Sequence, residues 1–247
     1  MLSHDARLGL IGGVSWVSTL EYYRRINTYF EDRLGRFHTP DIVLCSLPFD
    51  AVMEHQESGD LAAEGALLVE AARVMEGAGV EVGLICSNTT HRTFDALNRA
   101  TTVRFLDIVE AMIRTIRNTS VSTVGLLGTK YVMESGSYAK RLEDRGIAVR
   151  LPNEEDRDEV HRIIYEELCI NDLRDESRAR LRDVVRRLGD EGCESAVLGC
   201  TELPLLLSEP EVDGVGLLDS VASHLDMLYE LLGMDRTDGP VGVGSAS

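Results

Sequence analysis

Apolar residues recur along this chain in two rhythms. Short unbroken runs closed by glycine or a polar turn read as strands buried on both faces, and longer stretches with apolar residues every third or fourth position read as helices. A strand is predicted over 7–11, ended by Gly12-Gly13, and Ser18-Thr19 then cap a helix to about Leu34 with Tyr22, Ile26 and Phe30 on one face. A second strand is expected over 41–47, and the polar stretch 48–59 reads as a loop lying over a site. Leu61, Leu68, Ala72 and Met75 mark a helix that stops at Gly77-Ala78-Gly79. A strand over 82–85 runs into the turn Cys86-Ser87-Asn88-Thr89, a helix from about Thr90, a short strand near 103–106 and a helix through Ile113.

The pattern then restarts. Val124-Gly125-Leu126-Leu127-Gly128-Thr129 echoes Leu8-Gly9-Leu10-Ile11-Gly12-Gly13 at a shift of 116 (124 minus 8), and Gly199-Cys200-Thr201-Glu202 echoes Cys86-Ser87-Asn88-Thr89 at 113 (199 minus 86). Between these echoes come a helix over 131–143 stopped by Gly146, a strand over 148–151 and a helix over 154–169 with Val160, Ile163, Ile164 and Leu168 as its buried stripe. A charged helix is expected over 176–188, a strand over 215–217, a closing helix over 219–232, and disorder in the glycine-rich tail from Asp235. Two nearly equal shifts with alternating strands and helices predict an α/β fold made by duplication. It should hold two similar parallel-sheet domains related by a pseudo-twofold, with the active-site cleft between them. The first is expected over 1–105 with 215–247 and carries Ser87; the second covers 106–214 and carries Cys200.

Composition narrows the chemistry. With 247 residues, 44% of them hydrophobic, the chain can bury one large core or two domains, and no stretch approaches a transmembrane helix. A formal net charge of −17 argues against nucleic acid or an anionic membrane as partner. The five cysteines include no CxxC pair, which excludes a zinc ribbon and a disulfide scaffold, and the first residues lack a signal-peptide pattern, so a cytoplasmic protein is expected. Lys130 and Lys140 are the only lysines, and neither reads as a strand-end or glycine-rich Schiff-base position. Pyridoxal phosphate is therefore disfavoured and no cofactor is expected.

Cys200 stands out among the cysteines. Cys45, Cys169 and Cys193 read as small buried hydrophobes, whereas Gly199 before Cys200 and Thr201-Glu202 after it place its thiol at a strand-to-helix turn. A helix N-terminus there would lower its pKa toward neutrality. The turn over 9–13 lacks G-x-G-x-x-G, so a dinucleotide site is weakly supported. A Cys-His hydrolase using His91 or His224 has no peptide groove to serve.

Taken together, Gly12-Gly13, Ser18-Thr19, Tyr22-Tyr23, Ile26-Asn27, the run Ser87 to His91, Gly125 to Thr129, Gly199 to Leu203, and Asp219-Ser220 with His224 resemble the aspartate/glutamate racemase family over nearly the whole chain. The resemblance implies a cofactor-independent amino-acid racemase, usually a homodimer, in which one cysteine per domain deprotonates and reprotonates Cα. It further implies substrate contacts from Asn88, Thr89, Thr129, Thr201, Glu202, Ser18 and Thr19, with Cys200 and Ser87 as the catalytic pair. His91 and His224 would stand behind the site.

Three departures qualify it. The family's first cysteine immediately precedes Asn-Thr, and here that position is Ser87. Cys86 lies one residue early, and in an extended segment it should face the core if Ser87 faces the cleft. Serine is a far weaker acid, so racemisation should be slow or one-directional. Where similar sequences carry a lysine for a substrate carboxylate, Glu159 is aligned; in the pocket it would repel a carboxylate and favour a neutral or cationic side chain. Otherwise Glu159 faces solvent and Arg157 or Arg162 takes that role. Val17 replaces a glutamate at the mouth of the site, Trp16 being kept. Two alternatives stay open: a single-cysteine relative acting on one face, as arylmalonate decarboxylase-like members of the wider superfamily do, and a catalytically silent amino-acid-binding protein.

Overall fold

A computed structural model describes residues 2–234; the tail expected to be disordered lies outside the described residues. Strand β1 (Leu8–Gly12) runs into helix α1 (Trp16–Leu34), followed by β2 (Ile42–Ser46), α2 (Phe49–Ser58), α3 (Leu61–Gly77), β3 (Val82–Ile85), α4 (Phe94–Ala100) and β4 (Arg104–Phe105). After α5 (Ile108–Arg117) come β5 (Thr123–Gly128), α6 (Lys130–Glu134), α7 (Ser137–Glu143), β6 (Ala148–Arg150), α8 (Glu154–Glu166) and α9 (Asp175–Asp190). The chain closes with β7 (Ser195–Gly199), β8 (Glu211–Val212), β9 (Val215–Asp219) and α10 (Ser220–Leu231).

The first sheet has strand order β2-β1-β3-β4 and the second β6-β5-β7-β9-β8. All pairs are parallel except β8 with β9. Without the antiparallel edge strand β8, the two orders are the same, with β5, β6, β7 and β9 standing for β1, β2, β3 and β4. The duplication read from the two echoes is therefore a repeat of topology. In both sheets the central strands are buried, apart from the partly exposed Thr123 that opens β5, which is why they appear as near-continuous apolar runs.

The closing helices are exchanged between the halves. β4 leads into α5, whose Ile108, Met112 and Ile116 pack with Val124, Leu126 and Val197 of the second sheet. β9 leads into α10, whose Val221, Leu225 and Leu228 pack with Leu8, Leu10 and Tyr22 of the first. Both helices begin alike: Asp107 accepts from the Val109 and Glu110 amides, and Asp219 from those of Val221 and Ala222. The strand expected to return to the first unit at residue 215 instead pairs with β7, and only α10 crosses back. Counting apolar runs could not separate a strand from the helix that leaves it.

Other expectations change locally. Ser15, not Ser18-Thr19, caps α1, its hydroxyl accepting from the Val17 and Ser18 amides. The stretch 48–59 is helix α2 rather than a loop. The single helix expected over 131–143 is broken at Gly136, whose φ of 71° departs from helical backbone. Helix α8 stops at Glu166 and a 3-10 turn, Leu168–Ile170, carries Cys169. Val17, expected at the mouth of the site, is buried. Among the described residues no helix is long and apolar enough to cross a membrane.

Candidate active site

Strands β3 and β7 occupy equivalent positions in the two sheets, and their carboxyl ends face one cleft. Ser87 and Asn88 enter from the first sheet, Cys200 and Glu202 from the second. This is the switch-point location where open α/β sheets hold ligands. Cys86 points the other way, into the core beside Leu8, Leu10 and Tyr22, and burial pushes its thiol pKa up. The alternation expected along the extended segment thus places Ser87 at the cleft and removes Cys86 from it.

Cys200 is only 6% exposed, and its thiol donates to Glu202 Oε2 at 3.0 Å. The same oxygen accepts from Thr201 Oγ1 at 2.7 Å, while Glu202 Oε1 accepts from Ser15 Oγ at 2.7 Å and faces the Cys169 thiol at 3.9 Å. Four donors thus converge on one buried carboxylate. Burial, followed by the Glu202 charge, raises the Cys200 pKa well above that of an ordinary thiol. The expected depression fails for a structural reason. The segment after Cys200 is a turn leading to a three-residue 3-10 helix, Leu203–Leu205, so no α-helix dipole opposes the carboxylate.

The opposite wall is polar but carries no comparable group. The Ser87 hydroxyl accepts from the Thr90 amide at 3.5 Å, and the Ser87 carbonyl accepts from His91 Nδ1 at 2.6 Å. Asn88 gives its amide NH₂ to Ser220 Oγ at 2.9 Å and leaves Oδ1 buried with no partner among the described residues. As oriented, Asn88 suits a donor such as an α-ammonium better than a carboxylate. Thr89 and Thr129 join the two units through a 3.0 Å hydroxyl–hydroxyl bond. Thr89 and Asn88 also border a second cavity that reaches His91 and Tyr138.

Several expected site residues stand elsewhere. Ser18 donates to the Cys86 carbonyl, while Thr19 Oγ1 accepts from the Gly13 amide at 2.8 Å and donates to the Ser15 carbonyl at 2.9 Å. They fasten the β1 turn and do not line the cleft. Glu159 pairs with Arg162 at 2.8 Å and is likewise absent from the wall. Arg157 pairs with Glu134 and Arg162 also with Glu167, so neither takes the place proposed for it. The expectation for the lysines also changes. Lys130 stands two residues past the end of β5, but its ammonium pairs with Asp158 at 2.6 Å and borders neither cavity. His224 accepts from Tyr22 OH at 2.8 Å through Nδ1 and donates to the Leu106 carbonyl from Nε2 at 3.1 Å. Among the described residues no histidine lines the cleft beside Cys200.

Sequence reasoning missed Ser15, Cys169, Phe49 and Tyr165, all at the cleft wall. Phe49 opens α2 and stacks on Tyr165 of α8 with ring centroids 6.4 Å apart, and Tyr165 OH donates to Gln56 Oε1 at 3.1 Å. A Ser two residues after Gly-Gly was the available signal for Ser15 as a helix cap. For Cys169 there was none.

Comparison with known proteins agrees with this layout. A Yersinia pestis protein assigned as an Asp/Glu racemase superposes with a TM-score of 0.83 at 38% identity, covering 93% of this chain and 100% of its own. An aspartate racemase homologue from Pyrococcus horikoshii OT3 gives 0.78 and 33%, covering 92% of this chain and 99% of its own. The broad specificity amino-acid racemase RacX of Bacillus subtilis (strain 168) is 27% identical over 146 residues, which is 56% of this chain and 61% of that protein. The model of the Asp/Glu/Hydantoin racemase family matches residues 11–228, and with these likenesses the chain belongs to that family.

Proposed function

We propose that the protein is a pyridoxal-phosphate-independent racemase or epimerase acting at the Cα of an amino acid, with Cys200 as principal acid/base and Ser87 as its weaker partner. One observation carries the reading: Cys200 and Ser87 reach a single buried cleft from equivalent strand ends of the two units. Glu202 accepts the Cys200 proton, and the thiolate removes the α-proton. Charge that develops on the substrate spreads into its α-carboxylate, which the one hydroxyl hydrogen left free in the Thr89–Thr129 pair can meet. Ser87, or a water on its side, returns a proton to the opposite face and is itself replenished from solvent, while Glu202 gives up to solvent the proton it took from Cys200, so both walls are restored.

The asymmetry of the two walls favours a second reading in the same cleft, one-face chemistry. Glu202 adjoins Cys200, whereas the Ser87 hydroxyl has only the Thr90 amide. Heavy-water incubation of single enantiomers, followed by α-proton NMR and chiral chromatography, decides between them. Exchange with inversion is the expected result. Exchange without inversion leaves Cys200 working alone, and no exchange with any amino acid removes the proposal. The proposed species is a homodimer, read by sedimentation at the mass of two chains.

A further inference from the structure

We propose that the cleft selects amino acids with uncharged side chains over aspartate and glutamate; the inference rests on the racemase reading of this site. Among the described residues, 13 line the cleft, none of them Lys, Arg or His, and the one charged group is the Glu202 carboxylate. The part of the wall not taken by the reacting groups is largely apolar, formed by Val14, Phe49, Ile164 and the Tyr165 ring.

A dicarboxylate substrate has two anions to place. The α-carboxylate has the free hydroxyl hydrogen of the Thr89–Thr129 pair, but the second would meet an apolar wall near the Glu202 charge with no cation opposite. A buried charge without a partner is strongly disfavoured. The surrounding cations do not remedy this. Arg92 is held by Glu64, with Nε at 2.8 Å, and lies over the Tyr131 ring; Arg141 is held by Asp107 at 2.8 Å. Both border the second cavity, which shares Asn88 and Thr89 with the cleft, and the charge of each is already offset by its own carboxylate.

A cationic side chain fares no better. A carboxylate offers about four acceptor positions, and at Glu202 they face Ser15, Cys169, Cys200 and Thr201. An uncharged side chain needs no partner and covers Phe49, Ile164 and Tyr165. Glu159, which the sequence put forward, plays no part in this selection, because it pairs with Arg162 outside the wall.

The test is the rate of Cα deuterium exchange by the full chain on alanine, leucine, phenylalanine, aspartate, glutamate and lysine, expressed as kcat/KM. The expected result is a value at least tenfold higher for the best uncharged amino acid than for any charged one. If aspartate, glutamate or lysine is the best substrate, the inference is overturned while the racemase reading stands. If nothing exchanges, the racemase reading falls, and calorimetric binding of the same panel still reads the specificity. A second arm uses Phe49→Arg, which supplies a guanidinium where the ring now stacks on Tyr165. Its aspartate-to-leucine ratio should rise at least tenfold over that of the unaltered chain; an unchanged ratio counts against the inference.

Discussion

Glu202 gathers four donors onto one carboxylate, and Cys200 is the donor that matters for chemistry. Cys200→Ala should abolish Cα exchange in NMR, while Ser87→Cys, which supplies a second thiol opposite, should raise the rate of inversion at least tenfold over the unaltered chain. Glu202→Gln separates two roles. Removing the carboxylate charge takes away one of the causes that raise the Cys200 pKa, so iodoacetamide alkylation of Cys200 should shift to lower pH. Removing the proton acceptor should at the same time slow exchange at least tenfold at neutral pH. A purely structural Glu202 would move neither in this paired way. At this scale the sequence disclosed the strand-end residues best, because an apolar run that stops at Gly199 or Ile85 leaves little doubt about where the next side chains go. It disclosed charge effects worst. Whether Cys200 sits on a dipole or on a carboxylate depends on how Glu202 turns back, and whether Glu159 meets the cleft depends on the rotation of α8, which periodicity alone does not fix.

At the scale of elements, α2 closes one side of the cleft. Its sequence, FDAVMEHQES, has few apolar residues, and only Val52 and Gln56 are buried, so it reads as a polar loop. The helix is stabilised mainly by contacts from outside itself. Phe49 lies on Tyr165, while Gln56 joins the Tyr165 hydroxyl to buried Glu64, donating from Nε2 at 3.2 Å. Tyr165→Phe keeps the stack and removes the hydrogen bond, worth about 1 kcal/mol. Amide hydrogen exchange in 49–58 should then accelerate about fivefold, with α8 unchanged; equal acceleration in both helices would show that the bond does not tether α2 in particular. The β1 turn illustrates the opposite case. Gly13 has φ of 90°, and a Cβ there would run into the Leu47 backbone, so Gly12-Gly13 could be read correctly as a turn from sequence alone.

The whole molecule depends on the crossing of its two closing helices, and His224 stands at that crossing. From α10 it accepts from Tyr22 of α1 and donates to the Leu106 carbonyl just before α5. Both ring nitrogens are therefore used in the neutral form. Burial lowers the His224 pKa from 6.5 to about 3, assisted by the neighbouring His91 ring and opposed by the Leu106 carbonyl and Asp107. In the unfolded chain the same histidine titrates near 6.5. Between those values the unfolded state holds a proton that the folded state refuses, so stability rises with pH through the window and falls as the solution is acidified. The contribution is complete above about pH 7 and declines by about 1.4 kcal/mol per pH unit below 6.5, levelling off near pH 3. Denaturant midpoints measured between pH 6 and 5, above most carboxylate titrations, should show this slope. His91, whose pKa burial also lowers, adds to it. His224→Asn should reduce the slope by about one proton's worth while costing about 2 kcal/mol at pH 8, because Leu106 and Tyr22 lose a partner. An unaltered slope would place the acid sensitivity elsewhere.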